Sequence, residues 1–487
     1  MARISSFLFA LTVLIAAVGC GGGGSSTPAP TPTPSQVFPN DESLAQAAPV
    51  KLGTSGGNAN DLGTTVCCIG TLGSLWTKTG VTRPVILSNN HVLDRSGNGA
   101  AGEAINQPLQ LACTPKTSPP PLTVALLTQG APLKPVANVP GACGNPAPSP
   151  LCGPSPSNVD AAIAEIAPGQ VDLSGTILDL GPVGATSIAP EPPSSTIGTP
   201  ALGQGVGKSG RTTGLTCSTI TSLNASIQVN YDAKCGDTSP AFTAVFTNQV
   251  VINGGSFSAG GDSGSLIVTT DTARPVALLY GGSTTGTVAN PISDVISAFG
   301  GSAAFSIVGG PDHPVSCAHT AVANSTQVGS AQAALLPQER QRVTAVQQRR
   351  AAQLLQDTSI KSVTVGASAD NPNEGALLIQ VSGAVIPRVP PTIDGVRTRL
   401  VFDAAAAVVP TVAKQEVDRA MTAKEAHVGS LMGQPGIQGV GVSLSVDNPT
   451  EAAISIYLLK GAAHQPIPAE IDGVRTRVFV SERFRSF

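Results

Sequence analysis

Between Val50 and Val308 the sequence is a succession of short apolar runs that Gly, Pro, Asn and Ser residues interrupt. Val85–Ser88, Val245–Ile252 and Val276–Tyr280 are typical, because each is rich in β-branched residues and too short for an ordinary helix. The whole chain has 54 Gly, 41 Pro and only 12% charged residues, which disfavours long solvated helices. The pattern predicts a mainly β fold, a barrel or a sandwich, and not alternating strands and helices.

Residues 1–20 have the features of an export signal. Arg3 precedes the apolar stretch Phe7–Val18, which is too short to span a bilayer permanently. The signal ends in the letters AVGC, which resemble the lipobox of bacterial lipoproteins and predict a lipid anchor on Cys20. An ordinary secretory signal is the alternative. Residues 21–45, rich in Gly, Ser, Thr and Pro, are expected to form a tether, so we predict an exported protein, membrane-anchored at the cell surface or in the periplasm, or secreted.

The nine cysteines fit an oxidising compartment. If Cys20 carries lipid, eight remain, and an even number in an exported chain predicts disulfide bonds. The expected pairs are Cys143 with Cys152, Cys217 with Cys235 across a predicted hairpin, and Cys67 and Cys68 with Cys113 and Cys317 in either order. No metal-type cysteine or histidine spacing accompanies them, so we predict neither a metal site nor a cofactor.

The run GGDSGS at 260–265 carries the strongest signal of chemistry. A serine becomes a good nucleophile when a base takes its proton and hydrogen-bond donors stabilise the oxyanion. Glycines on both sides of Ser263 would let adjacent N–H groups converge, and we expect those of Gly261 and Ser263 to form the oxyanion hole. Taken alone, the run could also be an ordinary Gly-rich turn.

His91 and Asp160 are the candidates for the base and for its orienting carboxylate. His91 follows a short apolar strand, and it is the only one of the five histidines that precedes Ser263. Asp160 stands at the head of another apolar run, where a charge usually needs a partner. Nucleophile, base and carboxylate together predict a hydrolytic triad. A histidine held in a turn and an aspartate that caps a strand are the alternatives.

Five segments, in this order, resemble the trypsin-like (chymotrypsin-fold) serine proteases, and most closely the bacterial ones: TLGSLW, LSNNHVL, VDAAIA, KSGRTTGLT and GGDSGS. The spacings of 69 residues from His91 to Asp160 and 103 from there to Ser263 also suit that family. Over residues 46–310 the resemblance implies two six-stranded β-barrels with the triad in the cleft between them. It further implies an endopeptidase that acts on polypeptides through an acyl-enzyme on Ser263.

Two departures from the family refine this expectation. The chain lacks the Ile-Val-Gly-Gly start of activated trypsins, so Asp262 is expected to have a partner other than a freed amine. Phe257 stands six residues before the nucleophile, where trypsin itself is acidic, and makes this residue a candidate for the specificity pocket. The resemblance therefore implies a preference for an apolar or small side chain and not for Arg or Lys.

Residues 325–404 and 405–487 contain the same short sequence motifs in the same order. DNP and IDGVRTR recur with an offset of 77 to 78 residues, which indicates an internal duplication. We predict two α+β units, each a helix (Gln338–Asp357 and Lys414–Met432) followed by strands. The Asp and Arg residues within each IDGVRTR are expected to pair with each other. The units are expected to contact the protease domain or a surface ligand.

A function of a different class is also open. The chain could be a catalytically silent protease-fold surface lipoprotein that acts as a binding module, with the repeats as its working part. The complete set of nucleophile, base and carboxylate argues against this alternative. The formal net charge of −3, without a basic face, argues against nucleic acid as a partner.

Overall fold

The structure is a computed structural model that describes residues 41–61, 69–108, 121–133, 135–136, 159–184, 187–232, 240–317, 335–382, 385–402 and 412–487. The predicted export signal with Cys20 and most of the predicted tether lie outside the described residues. So do six further cysteines: Cys67, Cys68, Cys113, Cys143, Cys152 and Cys235.

The chain folds mainly into β-strands, as the short apolar runs predict. In chain order the strands are β1 (Thr54–Asn58), β2 (Gly70–Leu72), β3 (Ser74–Lys78), β4 (Val85–Ser88), β5 (Ala104–Gln107), β6 (Leu122–Gly130), β7 (Pro135–Val136), β8 (Ala162–Ile166), β9 (Gly205–Gly210), β10 (Gly214–Asp232), β11 (Pro240–Asn253), β12 (Leu266–Thr269), β13 (Pro275–Gly282), β14 (Gly286–Pro291), β15 (Phe305–Ile307), β16 (Ile360–Ala367), β17 (Gly375–Val381), β18 (Thr392–Ile393), β19 (Val396–Phe402), β20 (Ile437–Leu444), β21 (Ala452–Leu459), β22 (Glu470–Ile471), β23 (Val474–Ser481) and β24 (Arg485–Ser486). The helices are α1 (Asn90–Leu93), α2 (Ile292–Ala298), α3 (Pro337–Leu354) and α4 (Lys414–Met432).

The first sheet has eight strands in the order β15-β3-β4-β8-β6-β5-β1-β2. Its apolar side chains form one core, in which the Trp76 and Phe305 rings stack with their centroids 4.5 Å apart. β4 and β8 are antiparallel, with Ser88 opposite Ala162. This register brings the residues that follow β4 next to the residues that precede β8, so His91 and Asp160 become neighbours.

The second sheet has twelve strands, of which β22-β23-β21-β20-β10-β9-β12-β13-β14-β11-β7 form the ordered path. β24 lies beside β10 and β13, off that path. Ser263 stands on the loop between β11 and β12, and its carbonyl accepts a hydrogen bond from Thr71 of β2 at 2.7 Å. That bond links the loop of Ser263 to the first sheet. Two separate six-stranded barrels stay a prediction, since these pairings define sheets of eight and twelve strands.

The C-terminal region contains the same sequence of elements twice. α3 precedes a four-stranded sheet of order β16-β17-β19-β18, and α4 precedes strands of order β20-β21-β23-β22. The pairing is the same in both units. β16 and β17, like β20 and β21, are antiparallel, whereas β17 and β19, like β21 and β23, are parallel. β20 also pairs with β10, so the last four strands extend the second sheet.

Both predicted C-terminal helices are found. α4 has the predicted bounds, whereas α3 ends at Leu354, three residues before the predicted Asp357. Asp357 instead accepts hydrogen bonds from the N–H and hydroxyl of Ser359, a local turn that competes with the helix.

The ion pairing predicted within each IDGVRTR is wrong. Asp394 pairs with Arg350 of α3, and Asp472 pairs with His427 of α4. The first Arg of each IDGVRTR motif pairs with a glutamate of its own unit: Arg397 with Glu374 and Arg475 with Glu451. In each unit the Asp lies in the turn before β19 or β23. It pairs with the helix of its unit and not with the Arg side chains of the strand that follows.

The predicted pairing of Cys217 is wrong as well. Cys217 is bonded to Cys317, with an S–S length of 1.98 Å and Cα atoms 5.8 Å apart. The hairpin of β10 and β11 exists, but Cys217 lies near the start of β10. The strand ends at Asp232, 15 residues after Cys217, and Cys235 comes only after that end. The bond also excludes Cys317 as the partner of Cys67 or Cys68. Among the described residues, no helix has the length and apolar character needed to cross a membrane.

Candidate active site

His91 and Asp160 form a buried hydrogen-bonded pair. His91 Nδ1 lies 2.6 Å from Asp160 Oδ2, and the His91 backbone N–H donates to Oδ1 at 3.2 Å. The Asp160 side chain is fully buried, and that of His91 is 10% exposed. Because a carboxylate can only accept, Nδ1 carries a proton and the ring presents Nε2 to the other side.

Asp160 is held from several directions, through both its carboxylate and its backbone carbonyl. The hydroxyl of Tyr231, on β10, donates to Oδ2 at 2.7 Å. The Asn89 side chain donates to the Asp160 carbonyl at 2.6 Å, and the Asn290 side chain donates to the same carbonyl at 3.2 Å. Burial, followed by the Asp160 charge, raises the pKa of Tyr231 well above its usual value, so this hydroxyl stays a donor.

The surroundings of His91 raise the pKa of its imidazole. Burial alone would lower the pKa of the imidazole. The charge and hydrogen bond of Asp160, the carbonyl of Phe487 and the charge of Asp61 act in the opposite direction, and together they outweigh burial. The net result is a pKa of His91 above its ordinary value.

Ser263 lies across the imidazole from Asp160. Its Oγ is 2.9 Å from the carbonyl oxygen of Phe487 and 3.2 Å from that of Tyr280. His91 Nε2 is 3.0 Å from the same Phe487 oxygen. The structure thus gathers all three predicted triad residues, while His91 and Ser263 meet at the oxygen of Phe487 and not through a direct hydrogen bond.

The loop around Ser263 depends on glycine. Gly264 has a φ of +93°, and a Cβ there would lie 2.0 Å from Ser88 Oγ and 2.3 Å from the Thr71 carbonyl. Gly261 has a φ of +97°, a region that other residues rarely adopt. Within the described residues, the N–H groups of Gly261 and Ser263 donate to no other atom. Both remain available to a ligand.

Asp262 has the partner that the sequence left open. Its carboxylate lies 3.4 Å from Lys208 Nζ, and both side chains are fully buried. The N–H groups of Thr212 and Thr213 donate to Oδ1 at 2.8 and 3.1 Å. Burial lowers the pKa of Lys208, although the charge of Asp262 opposes this effect. The pair anchors the loop of Ser263 to β9 and to the turn that follows it.

Phe257 belongs to an apolar cluster beneath this loop. The side chain is buried and packs with residues of the second sheet, including Ile252 and Ile267, and the Phe487 ring lies against the same cluster. The Phe257 carbonyl accepts a hydrogen bond from Thr216 Oγ1 at 2.7 Å. Phe257 is therefore buried in the wall beneath the candidate site.

Sequence reasoning missed Tyr231, Lys208 and Phe487. Lys208 stands in the run KSGRTTGLT, and its place there between small residues was a usable signal. Tyr231 is one of only three tyrosines, but a tyrosine in a strand usually reports packing. Nothing in the sequence marks Phe487, whose place follows from the pairing of β24.

Comparison with solved structures finds bacterial chymotrypsin-like serine proteases at low similarity. A serine protease that is specific for glutamic acid and uses a histidine triad in substrate binding is 17% identical, with a TM-score of 0.31, over 53% of this chain and 100% of that one. Thermobifida fusca protease A is 16% identical, with a TM-score of 0.31, over 53% and 98%. A Nocardiopsis protease, NAPase, is 13% identical, with a TM-score of 0.31, over 53% and 97%. No protein-family model and no curated protein matches the chain.

Proposed function

We propose that this chain is a serine endopeptidase that hydrolyses peptide bonds through an acyl-enzyme on Ser263. One observation carries the proposal: the Asp160-bound imidazole of His91 and the hydroxyl of Ser263 converge on a single backbone carbonyl oxygen. In this proposal residues 46–310 are the protease domain, with its two barrels, and 325–404 and 405–487 are the two repeat units.

In the first half of the reaction neutral His91 takes the proton of Ser263 Oγ while Oγ bonds to the carbonyl carbon of the substrate. The N–H groups of Gly261 and Ser263 stabilise the oxyanion that develops. The C–N bond then breaks, and His91 gives its proton to the leaving amine. The other half of the substrate stays esterified to Ser263.

In the second half His91 takes a proton from water as the water oxygen attacks the ester carbonyl. The bond to Ser263 Oγ breaks, His91 returns a proton to it, and a carboxylic acid is released. Asp160 holds the imidazole so that Nε2 faces Ser263, and its charge stabilises the imidazolium at each stage. Tyr231 acts as a positioning residue, because it contacts Asp160 and not the reacting atoms.

The proposal includes an exported protein, anchored through lipid on Cys20. The substrates are polypeptides outside the cytoplasm. The apolar cluster around Phe257 supports a specificity pocket for an apolar side chain.

Labelling with a fluorophosphonate probe tests the proposal, because only a serine activated by its base and its oxyanion hole reacts at an appreciable rate. A time course on residues 21–487 should show labelling that Ser263→Ala and His91→Ala both abolish. Ser293→Ala and His313→Ala, at sites away from the cleft, serve as matched controls and should label as the parent does.

Absence of labelling from a folded protein, with residues 485–487 removed as well as present, would contradict the proposal. That result would favour the catalytically silent binding module.

A further inference from the structure

The C-terminal segment of the chain lies in the candidate site as an added strand. β24 pairs antiparallel with β13, with Ser486 opposite Gly281 and Arg485 opposite Gly282. The Phe487 N–H points to the Tyr280 carbonyl at 3.4 Å. Extended peptides often bind proteins by adding a strand to a sheet in this way.

The segment ends at the reacting atoms of the proposed mechanism. The Phe487 carbonyl oxygen is 2.9 Å from Ser263 Oγ and 3.0 Å from His91 Nε2. A carbonyl group there lies within reach of both Ser263 and His91, as the acyl group of a substrate must for Ser263 to attack it.

The Phe487 ring fills a space that the surrounding residues leave open. A Cβ on Gly282 would lie 2.6 Å from Cζ and 3.1 Å from Cε2 of this ring. A Cβ on Gly281 would lie 2.3 Å from the Arg485 carbonyl oxygen. The two glycines therefore make room for both the backbone and the ring, and the ring packs against the cluster that contains Phe257.

Phe484, the residue before this segment, fixes the segment in place. Phe484 is fully buried among residues that include Tyr231 and Tyr457, and its carbonyl accepts from the Asn230 N–H at 3.0 Å. Residues 485–487 follow this anchor directly into the site. A short tether of this kind gives the segment an effective concentration of about a millimolar or more.

Occupancy by the segment also disables the base. His91 Nδ1 donates to Asp160, and the Phe487 oxygen can only accept, so Nε2 must carry a proton too. A doubly protonated imidazole cannot take the proton of Ser263.

We propose that residues 485–487 occupy the acyl side of the site as that part of a substrate would, so that the chain inhibits itself competitively. The segment also identifies the substrate class: polypeptides with a large aromatic side chain, Phe foremost, immediately before the scissile bond. This inference rests on the proposed function.

The test compares four proteins: the chain to Phe487, a chain that ends at Phe484, the full-length variant Phe487→Asp, and the control Glu482→Gln. Glu482 is exposed and lies just upstream of the segment. We expect the shortened chain and Phe487→Asp to label with the fluorophosphonate about tenfold faster than the parent, which corresponds to a segment Kd of about 0.1 mM at an effective concentration of about 1 mM. Glu482→Gln should label as the parent does.

Two further measurements assign the groove. Acetyl-Arg-Ser-Phe with a free carboxylate should bind the shortened chain and slow its labelling, whereas acetyl-Arg-Ser-Ala should not. Among peptide anilides that differ only in the residue before the scissile bond, those with Phe should be cleaved at least tenfold faster than those with Ala, Glu or Lys.

The outcomes separate the two proposals. Equal labelling rates in all four proteins would show a live Ser263 and overturn the inference. Binding of the Phe peptide by a shortened chain that does not label would overturn the proposed function and leave the groove assignment standing. Neither labelling nor binding in folded protein would overturn both. Far-UV circular dichroism establishes folding for each variant, and Phe487→Asp keeps the full length if the shortened chain fails to fold.

Discussion

At the scale of single residues, the site depends on side chains that never touch a substrate. Tyr231 donates to the carboxylate that is bonded to the imidazole, and Lys208 pairs with Asp262 beneath the loop of Ser263. Both are fully buried, where an unpaired carboxylate would be costly. The candidate triad therefore relies on a second layer of polar contacts that fixes its geometry.

Tyr231→Phe should lower kcat about threefold to tenfold and leave KM unchanged, because the lost hydroxyl orients Asp160 and does not contact substrate. Without that donor, the Asp160 charge holds the imidazolium more strongly. The rise of activity with pH should therefore shift to higher pH, and a pH profile of peptide hydrolysis measures both effects.

Tyr457→Phe, the same change at a buried tyrosine of the C-terminal region, is the matched control. If Tyr231→Phe lowered activity without shifting the pH profile, Tyr231 would act only in packing.

At the scale of elements, the candidate site forms where the ends of several neighbouring strands meet. His91 follows β4 and Asp160 precedes β8, while β9 and the loop before β12 supply the buried ion pair. The N-terminal segment joins them, since the Ser209 hydroxyl of β9 donates to the buried Glu42 carboxyl at 2.9 Å. Burial first, and then the charge of Asp179, raises the pKa of Glu42 to about 8.

Glu42→Gln should make stability less dependent on pH. A free Glu carboxyl titrates at about 4.3, so the folded protein, with a pKa of about 8 at Glu42, binds the proton more tightly. The stability of the parent therefore falls as the pH rises from 5 to 8, and the loss is complete above that. Urea unfolding at pH 5, 7 and 8.5 should show an advantage of Glu42→Gln over the parent that grows by about 1–3 kcal/mol.

Asp312→Asn is the control. Its pKa is lowered to about 2 by the hydrogen bond from Arg274, so it stays ionised from pH 5 to 8.5 and the substitution should change stability by a constant amount. Parallel stability curves for Glu42→Gln and the parent would contradict the assignment.

The predictable part of this molecule is local. Strand runs and the helix Lys414–Met432 follow from composition and periodicity within a few turns of chain, and the residues at strand ends identified His91 and Asp160 as candidates. The partner of Cys217 was missed because the choice between Cys235 and Cys317 depends on which strand ends meet in space. The contact of Phe487 with Ser263 joins residues 224 positions apart, and no local pattern encodes it.

At the scale of the whole molecule, reciprocal contacts join the two C-terminal units. Asp370 accepts from Ser445 and Val446, and Asp447 accepts from Ser368 and Ala369. In the same way the Arg397 guanidinium donates to the Thr476 carbonyl at 2.8 Å and that of Arg475 donates to the Thr398 carbonyl at 2.7 Å. Each unit thus completes the polar contacts of the other.

Arg475→Ala should destabilise both units together by about 3 kcal/mol, because it leaves buried acceptors of the other unit unpaired. Arg397→Ala should cost a similar amount, and the double variant should cost less than the sum since the two arginines serve one interface. Calorimetry on the full chain measures all three.

Arg349→Ala removes an exposed pairing with Asp394 and is the control, with an expected change below about 1 kcal/mol. Additive effects of Arg397→Ala and Arg475→Ala would show that the units are energetically independent.

The pairing of β20 with β10 also bears on solubility. Ser222, Leu223, Ser226 and Ile227 of β10 have their partners on β20, in the last unit. A fragment that stops before the repeats would leave that row of amide and carbonyl groups bare along a long strand, a template on which a second fragment can assemble. In the folded chain β20 therefore covers an edge of β10 that would otherwise be open to a second copy.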